Sequence, residues 1–564
     1  MRILLEVSAL FVSLLEGSSD ELFILLSSIA NKEPVSVLSV AIDIGSAGAS
    51  WFFSGRVALS TVCSHMQSLT PTGASNWELE MEAPAPCGNR ASMGMNAAGI
   101  ELSTVVTEPG RRRRYPSFVS NLATVLSGQA ASALLALATE VCYARLLGPA
   151  GRGQLSLGMM VIAAGVLLGG LGGDVPTVIW TADSKMRPSE WFPAVLFWGL
   201  SGSLVVCALW TLGFWTWHPI FLQGVSTAVA AIVLVAIPVQ ILFGYLMAIF
   251  TGRENFAMGA GLTLVNQIAK LAGVVLLIWI LGQSAEAALS GYLFGLLVVV
   301  ALAAALLRGS LGPRWDIKAT RRNFGRALSL GVRGQFGNLA TFLNYRLDVF
   351  VVNYFLGPAQ VGLYAIGVLV SESLWQIPHA AATALFPRTV RTVDEGATEF
   401  TCLIVRHVLL VACVSGVALA LVAPFLIPII FGARYSASIA VVWWILPGTI
   451  ALAVGKVVSA DLAARCRPGF SSIFACVSLI VTAFLDFILI PRMGINGAAL
   501  ASSAAYLMDA VLLTVALKFV SQVRWKALLV PTRADLALYR QVWRRYRTLA
   551  FGSFISPTAR VGGA

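Results

Sequence analysis

The chain has 564 residues, 57% of them apolar and only 12% charged, with 39 lysines and arginines against 27 aspartates and glutamates and a net charge of +12. A soluble domain carries roughly 25% charged residues. The composition therefore excludes an ordinary soluble protein and points to bilayer spans, whose basic excess belongs to loops on one side rather than to nucleic acid. The eight cysteines show no CxxC or metal spacing, so they read as small packing residues, with no disulfide framework, metal site or cofactor indicated.

Residues 1–110 differ from the rest. The apolar stretch from Ile3 to Leu15 is interrupted by Glu6, Ser8 and Ser13, and no clean signal-peptide pattern follows. This segment reads as a poorly ordered extension or as an overlong gene start, with Met93 or Met95 as the true initiator. From Arg111 onward about twelve apolar segments of roughly 20–28 residues follow, long enough to cross a ~30 Å hydrocarbon core at about 1.5 Å per residue. They are expected at 119–144, 153–180, 191–216, 225–250, 258–281, 287–307, 328–355, 361–387, 403–431, 437–462, 469–490 and 496–517. Small residues recur inside them, as in GVLLGGLGG (165–173) and GAALASSAAY (497–506), and let helices pack closely where no water drives association. Prolines at 193, 238, 378, 424 and 447 fall within spans, which is tolerated where neighbours satisfy the freed carbonyls.

Sorting the basic residues sets the orientation. If the run Arg111–Arg114 is cytoplasmic, 26 of the 39 fall on the inner side, and only Arg145, Arg152, Arg434 and Arg492 on the outer. That asymmetry predicts both termini in the cytoplasm. Asp174 and Asp486 are placed near span ends, where a carboxylate reaches water. The tail from Lys518 interleaves Trp543, Tyr546 and Leu549 with arginines and predicts a basic helix lying on anionic lipid.

An internal repeat is present. LGPAGRGQLSLGMMV (147–161) matches LGPAQVGLYAIGVLV (356–370) at an offset of 209 residues, and the triplet 287–289 matches 498–500 at an offset of 211. The predicted fold is all-α and polytopic: an N lobe (111–307), a basic linker (308–327), a C lobe (328–517) and a basic tail (518–564). Six spans per lobe is even, so the lobes are parallel repeats about an axis along the membrane normal, with a central cavity between them.

The run 344–387, with R-x-D in the seventh span, LGP-x-x-x-G-x-Y and a later LFP, together with FLDFILIPRMGINGAALASSAAYL (484–507), resembles the polysaccharide flippases of the multidrug/oligosaccharidyl-lipid/polysaccharide exporter superfamily. The resemblance covers about residues 115–520. It implies a two-lobed bundle in the bacterial inner membrane that moves a polyprenyl-pyrophosphate-linked glycan to the outer leaflet, with glycan polymerases or glycosyltransferases as partners.

Ionisable groups inside spans are the candidate functional residues. Gln335, Asn338, Thr341, Tyr345, Arg346 and Asp348 share an arc of about 160° on the seventh span. Arg346, about 15 Å from the turn at 357, carries a guanidinium that suits a pyrophosphate. An ion pair within the bundle is the alternative. Residues two apart on a helix diverge, so Asp348 is expected to find its partner on another helix. Lys270 is the second candidate anion contact, while Glu140, Glu372 and Asp348 are candidates for coupling to a cation, with Gln335 and Asn338 as cavity polar groups. No GxSxG, HExxH or P-loop occurs, and outer loops are short, which argues against an enzyme. A cation-coupled multidrug exporter of the same superfamily and a membrane glycan polymerase or ligase are the competing functions.

Overall fold

A computed structural model describes residues 118–530 except 184–186, 310–316, 377, 380, 383–384, 386–388, 390–394 and 466. The N-terminal extension, residues 310–316 of the basic linker and the tail beyond 530 lie outside the described residues.

Every element described is helical. Helix α1, Phe118–Gly170, bends at Gly148 into two arms, 118–147 and 149–170, and α2, Asp174–Ala182, continues the second arm after a break. There follow α3 (Pro188–Phe221), α4 (Thr227–Gly252), α5 (Phe256–Leu281), α6 (Ala285–Leu307) and α7 (Ile317–Leu356). The remainder are α8 (Pro358–Glu372), α9 (Glu395–Ile430), α10 (Ser438–Ala464), α11 (Gly469–Met493), α12 (Ile495–Ser521) and the short α13 (Trp525–Leu529). Each of the twelve expected spans has its helix. Two expectations on the second span need correction: it starts at Pro149 rather than at 153, and it is interrupted at 171–173.

Among the described residues nine helices are long and apolar enough to cross a bilayer. The bent α1 counts once in that reckoning, although its two arms correspond to two of the expected spans. Helix α7 falls outside it because it carries charges along its length, and α8 because it gives way at Ser373–Trp375 to a 3-10 turn. The outward side chains are those a lipid surface requires. Leu204, Leu209, Leu212, Leu421 and Phe425 are exposed along the bundle, and Trp215, Trp279 and Trp443 are exposed at one end of it. Tryptophans at one level mark a membrane interface. That end carries the LGPA turns and is called the LGPA face below; the opposite end is the basic face.

The sequence repeat is also a repeat of packing. Helix α5 packs on α6 as α11 does on α12, α4 on α6 as α10 on α12, α3 on α4 as α9 on α10, and α1 on α5 as α7 on α11. The turn glycines repeat too. Gly148 and Gly357, offset by 209, both hold positive φ (65° and 79°), as do the pairs Gly224/Gly432 and Gly282/Gly494. Only glycine enters that region without a Cβ clash, so the LGP turn demands it in both copies.

The two copies meet through themselves. A Cβ on Gly153 would sit 1.7 Å from the Pro358 carbonyl oxygen, and one on Gly362 only 2.0 Å from that of Pro149. Gly153 and Gly362 are repeat images, as are Pro149 and Pro358. The contact is therefore reciprocal, like an isologous dimer interface folded into one chain. The hydrogen that replaces each missing Cβ points at a carbonyl, a contact of about 0.5–1 kcal/mol. Side chains reinforce this end: Arg145 donates to the terminal carbonyls of Ile429 and Ile430 on α9, Tyr435 donates to the Ala144 carbonyl at 3.0 Å, and Asn353 to that of Gln223 at 3.3 Å. Near the basic face, Gly331 of α7 lies against the break between α1 and α2, since its Cβ would fall 2.4 Å from the Leu171 carbonyl.

Gly153→Val and Gly362→Val are expected to lower thermal stability by about 1–3 kcal/mol each through forced separation of the helices. Gly213→Ala, which meets nothing within 4 Å, is expected to leave the unfolding temperature unchanged or slightly raised.

Candidate functional site

Helix α7 carries three polar groups, Asn344, Arg346 and Asp348, within little more than one turn, and each finds a different neighbour. Asn344 accepts from Thr482 on α11 at 2.8 Å. Arg346, only 8% exposed, donates through Nη2 to Glu372 Oε2 on α8 at 2.8 Å. Asp348 accepts on Oδ2 from Tyr364 of α8 and from Ser502 of α12 at 2.9 Å, and on Oδ1 from the Val349 amide at 2.7 Å. The ion pair is thus between helices, and the partners of Asp348 lie on other helices, as the divergence of adjacent positions requires. Gln335 departs from the expected arc. Its amide packs over Gly172 of the N lobe, where a Cβ would lie 2.8 Å from its Nε2, so it belongs to the contact between lobes near the basic face. Asn338 is half-buried on the same helix.

The N lobe holds its own charges. Arg152 was expected in an outer loop, yet it is 7% exposed in the first turn after the LGP bend and donates to Glu140 Oε2 at 2.5 Å and to Ser156 Oγ at 2.7 Å. The reason is the early start of the second span at Pro149, which carries position 152 into the helix. Lys270 on α5 is 8% exposed, with Nζ 5.1 Å above the Tyr292 ring, whose hydroxyl donates to Gln240 at 2.8 Å. Among the described residues no carboxylate lies within ion-pair distance of Lys270, although the Glu140 charge acts on it. Glu140 and Asp348 nearly coincide in the repeat but differ in kind: one is bound to an arginine, the other to hydroxyls.

Asp486 requires a correction. It was placed near a span end with access to water; in the structure it is 0% exposed on α11, and neither carboxylate oxygen has a hydrogen-bond partner. It also lies within electrostatic reach of Asp348. An uncompensated carboxylate at that burial is strongly unfavourable. Asp486 is thus a candidate group for holding a proton or a monovalent cation.

Asp461, by contrast, is structural. It accepts from Arg465 Nε at 2.6 Å and Thr401 at 2.7 Å and so ties α10 to α9 at the basic face.

The sequence profile of the family described as "Polysaccharide biosynthesis protein" matches residues 118–393. The curated relative "Probable low-salt glycan biosynthesis flippase Agl15" of Haloferax volcanii is 22% identical over 275 residues, 47% of this chain. The chain spans little more than half of that relative, 56% of its length. Among solved structures, the lipid II flippase MurJ in an inward closed conformation superposes with a TM-score of 0.57 at 14% identity, covering 77% of this chain and 100% of that one. An inward-facing multidrug resistance MATE family transporter of the MOP superfamily gives 0.56 at 14% identity, over 69% and 94%. The fold is the one that these two transporters share.

The resemblance read from the sequence therefore holds. All seven candidate residues, Glu140, Lys270, Gln335, Asn338, Arg346, Asp348 and Glu372, fall within the matched stretch, while Asp486 and Ser502 come from the part of the fold beyond it.

Arg346→Met or Glu372→Gln alone leaves one charge buried without its partner, and is expected to destabilise the protein by roughly 3–5 kcal/mol. The double variant is expected to recover most of that loss, measured as a thermal-unfolding cycle on the purified protein; additive losses would mean that the two charges do not depend on one another.

Proposed function

We propose that this chain is a flippase for a lipid-linked glycan, working by alternating access of its two lobes with the basic face toward the cytoplasm. The observation that carries the reading is Lys270: an ammonium kept inside the bundle with no carboxylate bound to it, in a fold shared with a lipid II flippase. A cation at that depth is unfavourable unless an anion visits it. The pyrophosphate of a polyprenyl-linked sugar is such an anion, and its lipid chain stays in the bilayer while the headgroup crosses. Arg346 is held by Glu372, so it serves as an anion contact only where the phosphate replaces that carboxylate. The glycan-biosynthesis relative and the matched family support the same substrate class. Glycan polymerases or glycosyltransferases would act on the product at the outer surface.

The Asp348–Asp486 pair supplies the coupling. Loading it with a proton or monovalent cation relieves two buried carboxylates beside α7, the helix that touches the N lobe near the basic face. The loaded state and the lobe position are thereby linked through one rigid element.

In cells lacking the native gene, Lys270→Ala is expected to abolish surface glycan and accumulate lipid-linked units on the inner leaflet, while Lys270→Arg retains export. Normal export by a membrane-inserted Lys270→Ala protein would contradict the assignment. Asp486→Asn is expected to make transport in proteoliposomes insensitive to an imposed proton or sodium gradient; an unchanged gradient response would remove the pair from coupling.

A further inference from the structure

A second constellation lies one turn from the Arg346–Glu372 pair. Tyr345 on α7 and Trp375 on the 3-10 turn that follows α8 form two walls of a box, with Tyr506 on α12 packed against both rings. Their ring centroids are 5.1 Å (Tyr345–Trp375), 5.4 Å (Tyr345–Tyr506) and 6.0 Å (Trp375–Tyr506) apart, at interplanar angles of 46°, 90° and 60°. All three rings are buried. Into the box reaches Lys456 from α10, with Nζ 4.4 Å from the Trp375 centroid and 5.1 Å from that of Tyr345. Lys456 itself is half-buried.

Converging electron-rich ring faces attract a cation through their quadrupoles, by about 2 kcal/mol or more when water is excluded, and such cages receive quaternary ammonium groups. Glu372 Oε1, buried without a hydrogen-bond partner, adds the attraction of a negative oxygen. The chemistry of the walls is that of an organic-cation site, and the cation in it belongs to the protein.

We propose that Lys456 is a tethered occupant that closes an organic-cation site in the C lobe, and so determines which charge class this transporter refuses. A tethered group competes at an effective concentration in roughly the millimolar range or above. An external ammonium must both displace it and enter beside a positive charge. The proposal deepens the flippase reading and rests on it for its biological sense: a carrier of anionic lipid-linked sugars gains from a filled cation cage, whereas an exporter of cationic drugs would need it empty. The 3-10 turn at Ser373–Trp375 gives the cage its mobile wall, because mid-span 3-10 segments mark hinges.

The test uses the purified full chain in detergent and equilibrium dialysis against radiolabelled tetramethylammonium. Wild type and Lys456→Arg are expected to show no saturable binding. Lys456→Ala and Lys456→Gln are expected to bind roughly tenfold more tightly or better, as the loss of a competing cation–π contact implies, and Lys456→Ala/Trp375→Ala to lose that gain. If the Ala variant is not monodisperse, the Gln variant is read in its place. Binding by neither neutral variant, or a gain that survives Trp375→Ala, would overturn the proposal. Glycan export by the wild type is read separately. Its absence would remove the flippase reading without touching the cage, and a failed gain of binding would remove the cage without touching the flippase reading.

Discussion

The contact between Gly153 and the Pro358 carbonyl, with its mirror between Gly362 and the Pro149 carbonyl, governs how the halves of this molecule sit together. Two backbones that close can touch only where neither has a Cβ. Because the contact is made twice by the same motif, it fixes a pseudo-twofold axis, and each lobe then repeats the pairings of the other around it. The surrounding hydrogen bonds from Arg145, Tyr435 and Asn353 all end on backbone carbonyls at helix ends or turns. Such a joint is small and specific. It stands beside an apolar core that both lobes share, in which Leu155 and Val233 of one belong with Val361 and Val441 of the other.

Within the lobes the symmetry of backbone is broken by charge. The N lobe keeps Lys270 on an aromatic ring with no bound carboxylate, together with an arginine and a glutamate joined across the LGP bend. The C lobe balances its charges locally: Arg346 against Glu372, Asp348 against hydroxyls, Lys456 against aromatic faces. Asp486 stands apart as the group whose burial has no compensation from the chain. Under the proposed function one lobe receives the anion and the other responds to a small cation.

Much of this was legible in the residues. Span number and the repeat followed from apolar run length and from a motif recurring at 209 residues, because bilayer thickness and the LGP turn leave little choice of sequence. The candidate charges Arg346, Asp348, Glu372, Lys270 and Glu140 could be found because ionisable groups inside apolar runs are rare. Pairing could not be found the same way. That Arg346 meets Glu372 and that Arg152 is buried with Glu140 depend on helix rotation and on a start four residues earlier than the apolar pattern suggested. The burial of Asp486 escaped the pattern for a related reason: depth along a helix says nothing of which neighbours close over the side chain.

Alternating access demands that the reciprocal glycine contact open. Ala150 and Ala359 follow the two prolines, are repeat images and are exposed or nearly so at the LGPA face, so spin labels on cysteines there report the joint without entering it, in a background whose native cysteines are replaced. The distance between labels should be short and narrow in the unloaded protein and should gain a second, longer population when lipid-linked glycan and the coupling ion are supplied together. A single short distance that persists under every loading condition, in protein shown to transport, would contradict the account.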